Sequence, residues 1–367
     1  MEINVDGRVS YKMAFCALLR YLAAVAGHAV EEWLGGGEGD VRDEDSGRCA
    51  VKRALVLSGG SIKGAFQAGA VAELLADGFV PHAIYGTSVG SLNGGFMAER
   101  AGRAAARGED PDWPAIGAEL EAFWRNEVSS FSQVGRARSP FELFWQVFRT
   151  RFDGLIDTTP LQRLVREVLD ADNLRKSPVA FSACAVNVAD GRLRYATPED
   201  PNILDYIVAS TAIPITMPIK RVGGEPFVDG GIREVAPLDR ACEDGADSVV
   251  CVVCDPQELG AVSFDLGDLR PLSQRLMTIV VNELVNDDLK RFHEINEMVL
   301  ARGGAPAEGP LAGKRYIPIV CIRPRRTIPL DLERFTPEQI DQVLKLGRRV
   351  AREILDASPP EWRTSDA

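Results

Sequence analysis

A short apolar run ending at Tyr85 leads directly into Gly86-Thr87-Ser88-Val89-Gly90, and a small-residue helical pattern, Ser91 to Glu99, follows without a break. This succession admits a strand, a tight turn and a helix, with a serine at the bend. In a G-x-S-x-G elbow the glycines remove the Cβ atoms that would clash when the serine occupies a strained turn, so its hydroxyl projects freely at a helix N-terminus. The partial positive charge of that helix end favours an alkoxide-like oxygen. A serine in a Gly-flanked turn is also an ordinary turn or N-cap, so the pentapeptide alone does not decide between chemistry and architecture.

Two further motifs sharpen it. Upstream, Arg53 to Leu57 reads as a buried strand running into Ser58-Gly59-Gly60-Ser61-Ile62-Lys63-Gly64 and then into a helical pattern from Ala65 to Leu75. A glycine-rich strand-to-helix turn presents backbone N–H groups to a phosphate or to the oxyanion formed when a serine attacks an ester. The nucleotide-binding spacings fail: Ala65 follows Gly64 where a P-loop needs lysine, and Ser61 replaces the second glycine of G-x-G-x-x-G. Downstream, Ala209-Ser210-Thr211-Ala212-Ile213-Pro214 precedes Phe227-Val228-Asp229-Gly230-Gly231, an acidic residue at a strand end on a sharp turn. Asp-Gly-Gly alone is likewise a common turn.

Glycine-rich turn, serine elbow and Asp-Gly-Gly, in that order and setting, resemble the patatin-like phospholipase family. The resemblance runs from about Lys52 to about Val253 and includes Leu155-Ile156-Asp157-Thr158-Thr159-Pro160-Leu161. It implies a three-layer α/β/α sandwich with a mainly parallel central sheet. Carried onto this chain, it makes Ser88 the nucleophile, Asp229 its partner and general base, and Gly59, Gly60, Ser61, Lys63 and Gly64 the oxyanion-hole turn, with the N–H groups of Gly60 and Ser61 as the donors. Gly86 and Gly90 shape the elbow, and Gly230 and Gly231 the Asp turn. Ser61 departs from the family, which has a third consecutive glycine there; its Cβ narrows the φ range of that donor. Lys63 matches the family's basic position and either holds an anionic group or pairs with a nearby acid.

The implied activity is serine lipid acyl hydrolysis of the phospholipase A or lysophospholipase type, through an acyl-enzyme on a Ser-Asp dyad and without metal or organic cofactor. A thioesterase or acyltransferase on the same dyad, and a non-catalytic lipid-binding protein of the same fold, are the alternatives. A dyad works if the carboxylate takes the hydroxyl proton directly, which requires an Asp made more basic by desolvation. The rival is a triad in which Ser88, Asp229 and His293 follow the chain order of α/β-hydrolases. His293 lies within a charged helical pattern, Asn286 to Glu294, and neither His28 nor His82 has a motif around it, so the dyad is preferred.

A net charge of -11 argues against a nucleic-acid partner and supplies no long-range attraction to anionic lipid, so membrane contact would be local and apolar. Seven scattered cysteines suggest reduced thiols and a cytoplasmic setting, peripheral membrane association being compatible with it. Cys251 and Cys254 form one C-x-x-C in an apolar run with no second ligand pair, which speaks against zinc or redox chemistry.

The expected organisation is an N-terminal helix and linker (1–50, with apolar Met13 to Trp33 and Gly-rich Gly35 to Gly47), a catalytic domain (51–330), and a C-terminal helix and tail (331–367). The domain's motif core spans 52–253 and holds an insertion at 101–154. Arg20 and the early acids fit neither a signal peptide nor a membrane span; the expectation for the first segment is an amphipathic helix packed on the domain or lying on a membrane, with packing favoured. In the insertion, Ala101 to Trp113 reads as loop; beyond it stand Phe123, Trp124, Phe131, Phe141, Phe144, Trp145, Phe148 and Phe152, either a lid or helix faces, with core packing favoured. Strand patterns at 54–57, 83–85, 179–186, 193–196, 249–253 and 317–322 alternate with helical patterns at 65–75, 161–169, 238–243 and 272–300, as a helix-covered parallel sheet requires. Thr336-Pro337-Glu338 opens a final helix through Leu355. Arg323-Pro324-Arg325-Arg326 reads as a solvated basic turn, with lipid headgroups as its alternative ligand.

Overall fold

The computed structural model describes residues 52–149, 153–263, 269–304, 309, 311–358 and 360. The N-terminal helix and linker expected over 1–50, and Phe152, lie outside the described residues.

In chain order the described elements are β1 (Arg53–Leu57), α1 (Gly64–Ala76), β2 (Ala83–Thr87), α2 (Val89–Ala105), α3 (Trp113–Glu127), α4 (Phe131–Val134), β3 (Arg136–Ala137), α5 (Pro140–Phe148), β4 (Ile156–Asp157), α6 (Thr159–Val168), α7 (Ala171–Arg175), β5 (Ala180–Asn187), β6 (Leu193–Ala196), α8 (Ile203–Ser210), β7 (Lys220–Val222), β8 (Glu225–Asp229), α9 (Leu238–Glu243), β9 (Ser248–Val252), α10 (Leu269–Ala301), β10 (Ile319–Ile322) and α11 (Pro337–Ala357). One eight-stranded sheet runs β10-β9-β1-β2-β5-β8-β7, with β6 paired to β5. β10, β9, β1, β2 and β5 are mutually parallel, whereas β8, β7 and β6 run antiparallel to their neighbours.

Alternate residues of β1 point to opposite layers, as strand geometry dictates. Leu55 and Leu57 join a core with Phe66 of α1, Phe96 of α2, Trp124 of α3 and Leu344 of α11. Ala54 and Val56 join a second core with Leu238 of α9 and Val285, Leu289 and Phe292 of α10. A sheet buried on both faces between helices is the three-layer α/β/α arrangement, and its strands read as nearly continuous apolar runs for that reason. The Thr336 hydroxyl accepts from Gln339 N–H at 3.3 Å while the Gln339 side chain accepts from Thr336 N–H at 2.9 Å, a reciprocal capping box that starts α11. The helix lies close on α1 because a Cβ at Gly69 would stand 2.0 Å from the Leu344 carbonyl oxygen, and one at Gly347 2.0 Å from that of Phe66.

Three expectations are corrected. Ala101 to Trp113 is not all loop: α2 continues to Ala105, with Ala101, Gly102 and Ala104 buried, because Gly102 lets the helix rest on the α7 backbone, where a Cβ would meet Asn173 O at 1.8 Å. The aromatic stretch does not pack as one unit. Phe123 and Trp124 are core, as helix periodicity suggests, but Phe141, Phe144, Trp145 and Phe148 on α5 face outward. Nor is the Arg323 turn simply solvated: the Arg323 guanidinium turns inward to donate to Asp255 O (3.1 Å) and Asn286 Oδ1 (3.0 Å).

Candidate active site

The two glycine-containing turns lie side by side, since β1 and β2 pair in parallel with Leu57 opposite Gly86. At the second turn Ser88 has φ 56° and ψ -126° and is the N-cap of the 17-residue helix α2. A non-glycine residue in this region stores about 1–3 kcal/mol of backbone strain, which only a well-determined surround can hold. That surround is visible. A Cβ on Gly86 would lie 2.4 Å from the Gly90 carbonyl oxygen, and one on Gly90 would lie 2.1 Å from that of Leu57, so neither position admits a side chain.

Beneath the bend, Ser88 N–H donates to Ser210 Oγ (2.8 Å). Ser210 donates in turn to the Cys184 carbonyl (2.5 Å) and lies 2.8 Å from Ser91 Oγ, which donates to the Gly86 carbonyl (2.7 Å). Ser210 and Ser91 are fully buried, so every polar atom of this relay has to find its partner within the protein. With its amide engaged below, Ser88 presents its hydroxyl to Asp229.

Asp229 ends β8 and caps the 3-10 turn Gly230–Ile232; its Oδ1 accepts from Gly231 N–H at 2.8 Å, and its carboxyl lies beside the Ser88 side chain. Gly230 leaves no room for a Cβ, which would stand 2.6 Å from the Cys184 carbonyl oxygen. Burial pushes the Asp229 carboxyl up to about 6, while the neighbouring Ser88 side chain and the Gly231 N–H bond oppose that rise. A carboxylate of that basicity is ionised at neutral pH and able to take a hydroxyl proton.

In the first turn the amides divide into two groups. Gly59 N–H donates to Val235 O (3.0 Å), Lys63 N–H to Gly60 O (3.1 Å), and Gly64 N–H to the carbonyls of Ile62 and Ser61. Among the described residues no acceptor takes the N–H of Gly60 or Ser61, and both residues line the same cleft as Ser88. Ser61 adopts φ 53°, a conformation that glycine reaches without strain. Gly60 is required by space: its Cβ would fall 2.3 Å from that of Cys254. Lys63 forms an ion pair with both carboxylate oxygens of Asp255.

Sequence reasoning missed a buried amide network that joins these turns. Asn93 of α2 donates to Gln67 Oε1 of α1 (2.9 Å) and to Gly64 O (3.2 Å), and its own oxygen accepts from Trp124 Nε1 (2.9 Å). Gln67 donates to Ser58 O (3.2 Å) and Val252 O (3.3 Å). Both carboxamides are fully buried, and in the sequence they stand in small-residue helical patterns with nothing to name their partners.

Among the described residues, no histidine lines the cleft. His293 sits exposed on α10 beside Phe292, and His82 Nδ1 accepts from Arg53 N–H (3.2 Å). His28 lies outside the described residues. Cys251 and Cys254 point into opposite cores and do not meet, and no group of acidic, His and Cys side chains among the described residues could hold a metal.

Ser88 and Asp229 open onto a cleft of about 500 Å³, with Ile213, Met277, Val281, Ile328 and Leu330 among its apolar walls. That is within the size range of small-molecule sites. No described helix is long and apolar enough to cross a membrane.

The family model described as patatin-like phospholipase matches residues 55–241. The uncharacterized protein YjjU of Escherichia coli (strain K12) is 27% identical over 212 residues, covering 56% of this chain and 53% of its own, so the chain spans about half the length of this curated relative. Among solved structures, VipD from Legionella pneumophila aligns over 84% of this chain and 67% of its own at 15% identity and a TM-score of 0.36. ExoU from Pseudomonas aeruginosa, solved in complex with SpcU, aligns over 85% and 69% at 13% identity and a TM-score of 0.24.

Proposed function

The chain belongs to the patatin-like phospholipase family, and on that premise we propose that it is a serine lipid acyl hydrolase of the phospholipase A or lysophospholipase type, with Ser88 and Asp229 as a catalytic dyad. The observation that carries the reading is a serine held in a strained turn against a single buried carboxylate, at the wall of an apolar cleft large enough for an acyl chain.

In this reading Ser88 Oγ attacks the ester carbonyl carbon as its proton passes to Asp229. The N–H groups of Gly60 and Ser61 take the oxyanion that develops, assisted by the N-terminus of α2. Collapse breaks the bond to the alcohol, which leaves with the proton held by Asp229, and the acyl group stays on Ser88. Asp229 then takes a proton from water, the resulting nucleophile attacks the acyl-enzyme, and the fatty acid departs as Ser88 recovers its proton. The Gly231 N–H bond occupies one carboxylate oxygen, which leaves the other to take the proton in this reading.

The test is hydrolysis of a soluble nitrophenyl ester and of dispersed phosphatidylcholine by the full chain and by Ser88→Ala and Asp229→Asn. Both variants should lose activity by about 10³-fold or more. Activity retained in a folded Ser88→Ala overturns the assignment, and release of the head group instead of a fatty acid overturns the acyl-ester specificity.

A further inference from the structure

Among the exposed apolar side chains of the described residues, one group stands on α5 and others flank residues that line the cleft. On α5, Phe141, Phe148, Phe144 and Trp145 are 69%, 68%, 59% and 39% exposed. Their i, i+3, i+4, i+7 spacing places them on one helix face. They pack on one another, Phe144 stacked on Phe148 with centroids 6.3 Å apart and Trp145 edge-on to Phe148 at 5.3 Å, rather than into the core. A contiguous aromatic face left in water marks a contact surface.

Backbone hydrogen bonds tie this helix to the cleft. α5 lies between β3 and β4, Arg138 N–H donates to Leu155 O (3.0 Å), and Leu155 and Ile156 N–H both donate to Thr216 O (2.9 Å). Thr216 lines the cleft with Ile213 and Pro214. Between them Ile215 is a β-branched residue at φ 68°, strained and yet turned to solvent. On another wall α10 exposes Leu276, Ile279 and Val280 beside the lining residues Met277, Thr278 and Val281.

The charges beside the aromatic face are committed to one another. Arg136 pairs with Glu142 and Asp157, Arg138 pairs with Asp153, and Arg149 lies over the Trp145 ring. With a net charge of -11 over the chain, anionic headgroups gain nothing here. The separate apolar patches are suited to a surface that needs no shape complementarity.

We propose that the aromatic face of α5, with the exposed aliphatic side chains at Ile215 and on α10, seats on an uncharged, zwitterionic bilayer surface and presents the cleft mouth to the lipids within it. The surface rests on the reading of the cleft as a lipid-ester site. Docking proceeds by insertion of aromatic side chains at the interface and not by charge, so it survives high salt.

The experiment is flotation of the full chain with phosphatidylcholine vesicles at low and high salt, comparing wild type, Ser88→Ala and Phe144→Ser/Phe148→Ser. Trp145 fluorescence is read with brominated phosphatidylcholine, and Trp145→Phe serves as the control. The expected result is that wild type and Ser88→Ala float equally at both salt concentrations, that partition of the double variant falls about tenfold or more, and that Trp145 is quenched. Hydrolysis of a soluble ester by the double variant should be unchanged. Absence of flotation by wild type, equal flotation by the double variant, or flotation abolished by salt overturns the proposal. A wild-type dimer that the double variant converts to monomer overturns it in favour of a second copy on this face. Normal flotation and quenching with no ester hydrolysis by wild type leaves the docking surface standing while the hydrolase reading fails.

Discussion

Two adjacent strand-to-helix turns each bend at a serine in the left-handed region, Ser61 at φ 53° and Ser88 at φ 56°. The positive φ is common to both and its use differs. Ser88 is buried, its amide is held by Ser210, and its hydroxyl faces Asp229; only a side-chain oxygen can fill that role. Ser61 is half-buried, its hydroxyl has no hydrogen bond among the described residues, and what it offers the cleft is a main-chain N–H that any residue carries. The comparison separates strain that holds a reacting atom from strain that glycine would relieve.

Glycine substitution at both turns is the sharpest way to break this contrast. Ser88→Gly relaxes the elbow yet should abolish turnover, by about 10³-fold or more in kcat/KM, while Ser61→Gly should keep wild-type activity or exceed it. Equal losses at the two positions would show that the serines share a role. At the neighbouring position, Gly60→Ala forces a Cβ against Cys254 and displaces the donor pair, with kcat expected to fall about 100-fold and KM to change little in steady-state assays.

Asp229 provides the pH signature. Because its carboxyl must be ionised to accept a proton, kcat/KM should fall tenfold per pH unit below about 6, through a single ionisation. The same raised value affects stability. A carboxyl whose folded-state value lies above its unfolded 3.8 favours the folded state fully only below that value, and the contribution is lost as pH rises through about 6. At 1.36 kcal/mol per pH unit the rise corresponds to about 3 kcal/mol. Asp229→Asn should therefore be inactive but more stable than wild type at pH 7 by up to this amount, the difference closing toward pH 4 in denaturant titrations. Ser210→Ala leaves the Ser88 N–H without its partner and should cost about 1–3 kcal/mol of stability, with kcat reduced about tenfold. Ser61→Gly gives the smallest effect, a gain of about 1 kcal/mol in thermal or denaturant unfolding.

What could be read from the sequence follows from the same physics. Gly86, Gly90 and Gly230 are legible because a backbone passes where a Cβ would stand, and Gly60 because the Cys254 side chain does; that requirement stamps a residue type on the chain. The central strands are legible because burial on both faces leaves them apolar throughout. Ser210 is not, since its task is defined by the Ser88 amide, 122 positions away in the chain. Gln67 and Asn93 are hidden for the same reason. The aromatic spacing on α5 fits core and surface helices equally; only the absence of a covering layer distinguishes them, and that is a tertiary fact. The extension of α2 to Ala105 depends on α7 seated over Gly102, which an Arg- and Ala-rich stretch does not announce.

The central claim is that Ser88 is the oxygen activated by Asp229, and a fluorophosphonate probe tests it most directly when the adduct is mapped by peptide mass spectrometry. The account predicts one adduct, on Ser88, formed by wild type and by Ser61→Gly, abolished in Ser88→Ala and strongly slowed in Asp229→Asn. An adduct on Ser61 or another serine, or undiminished labelling of Asp229→Asn, would contradict it.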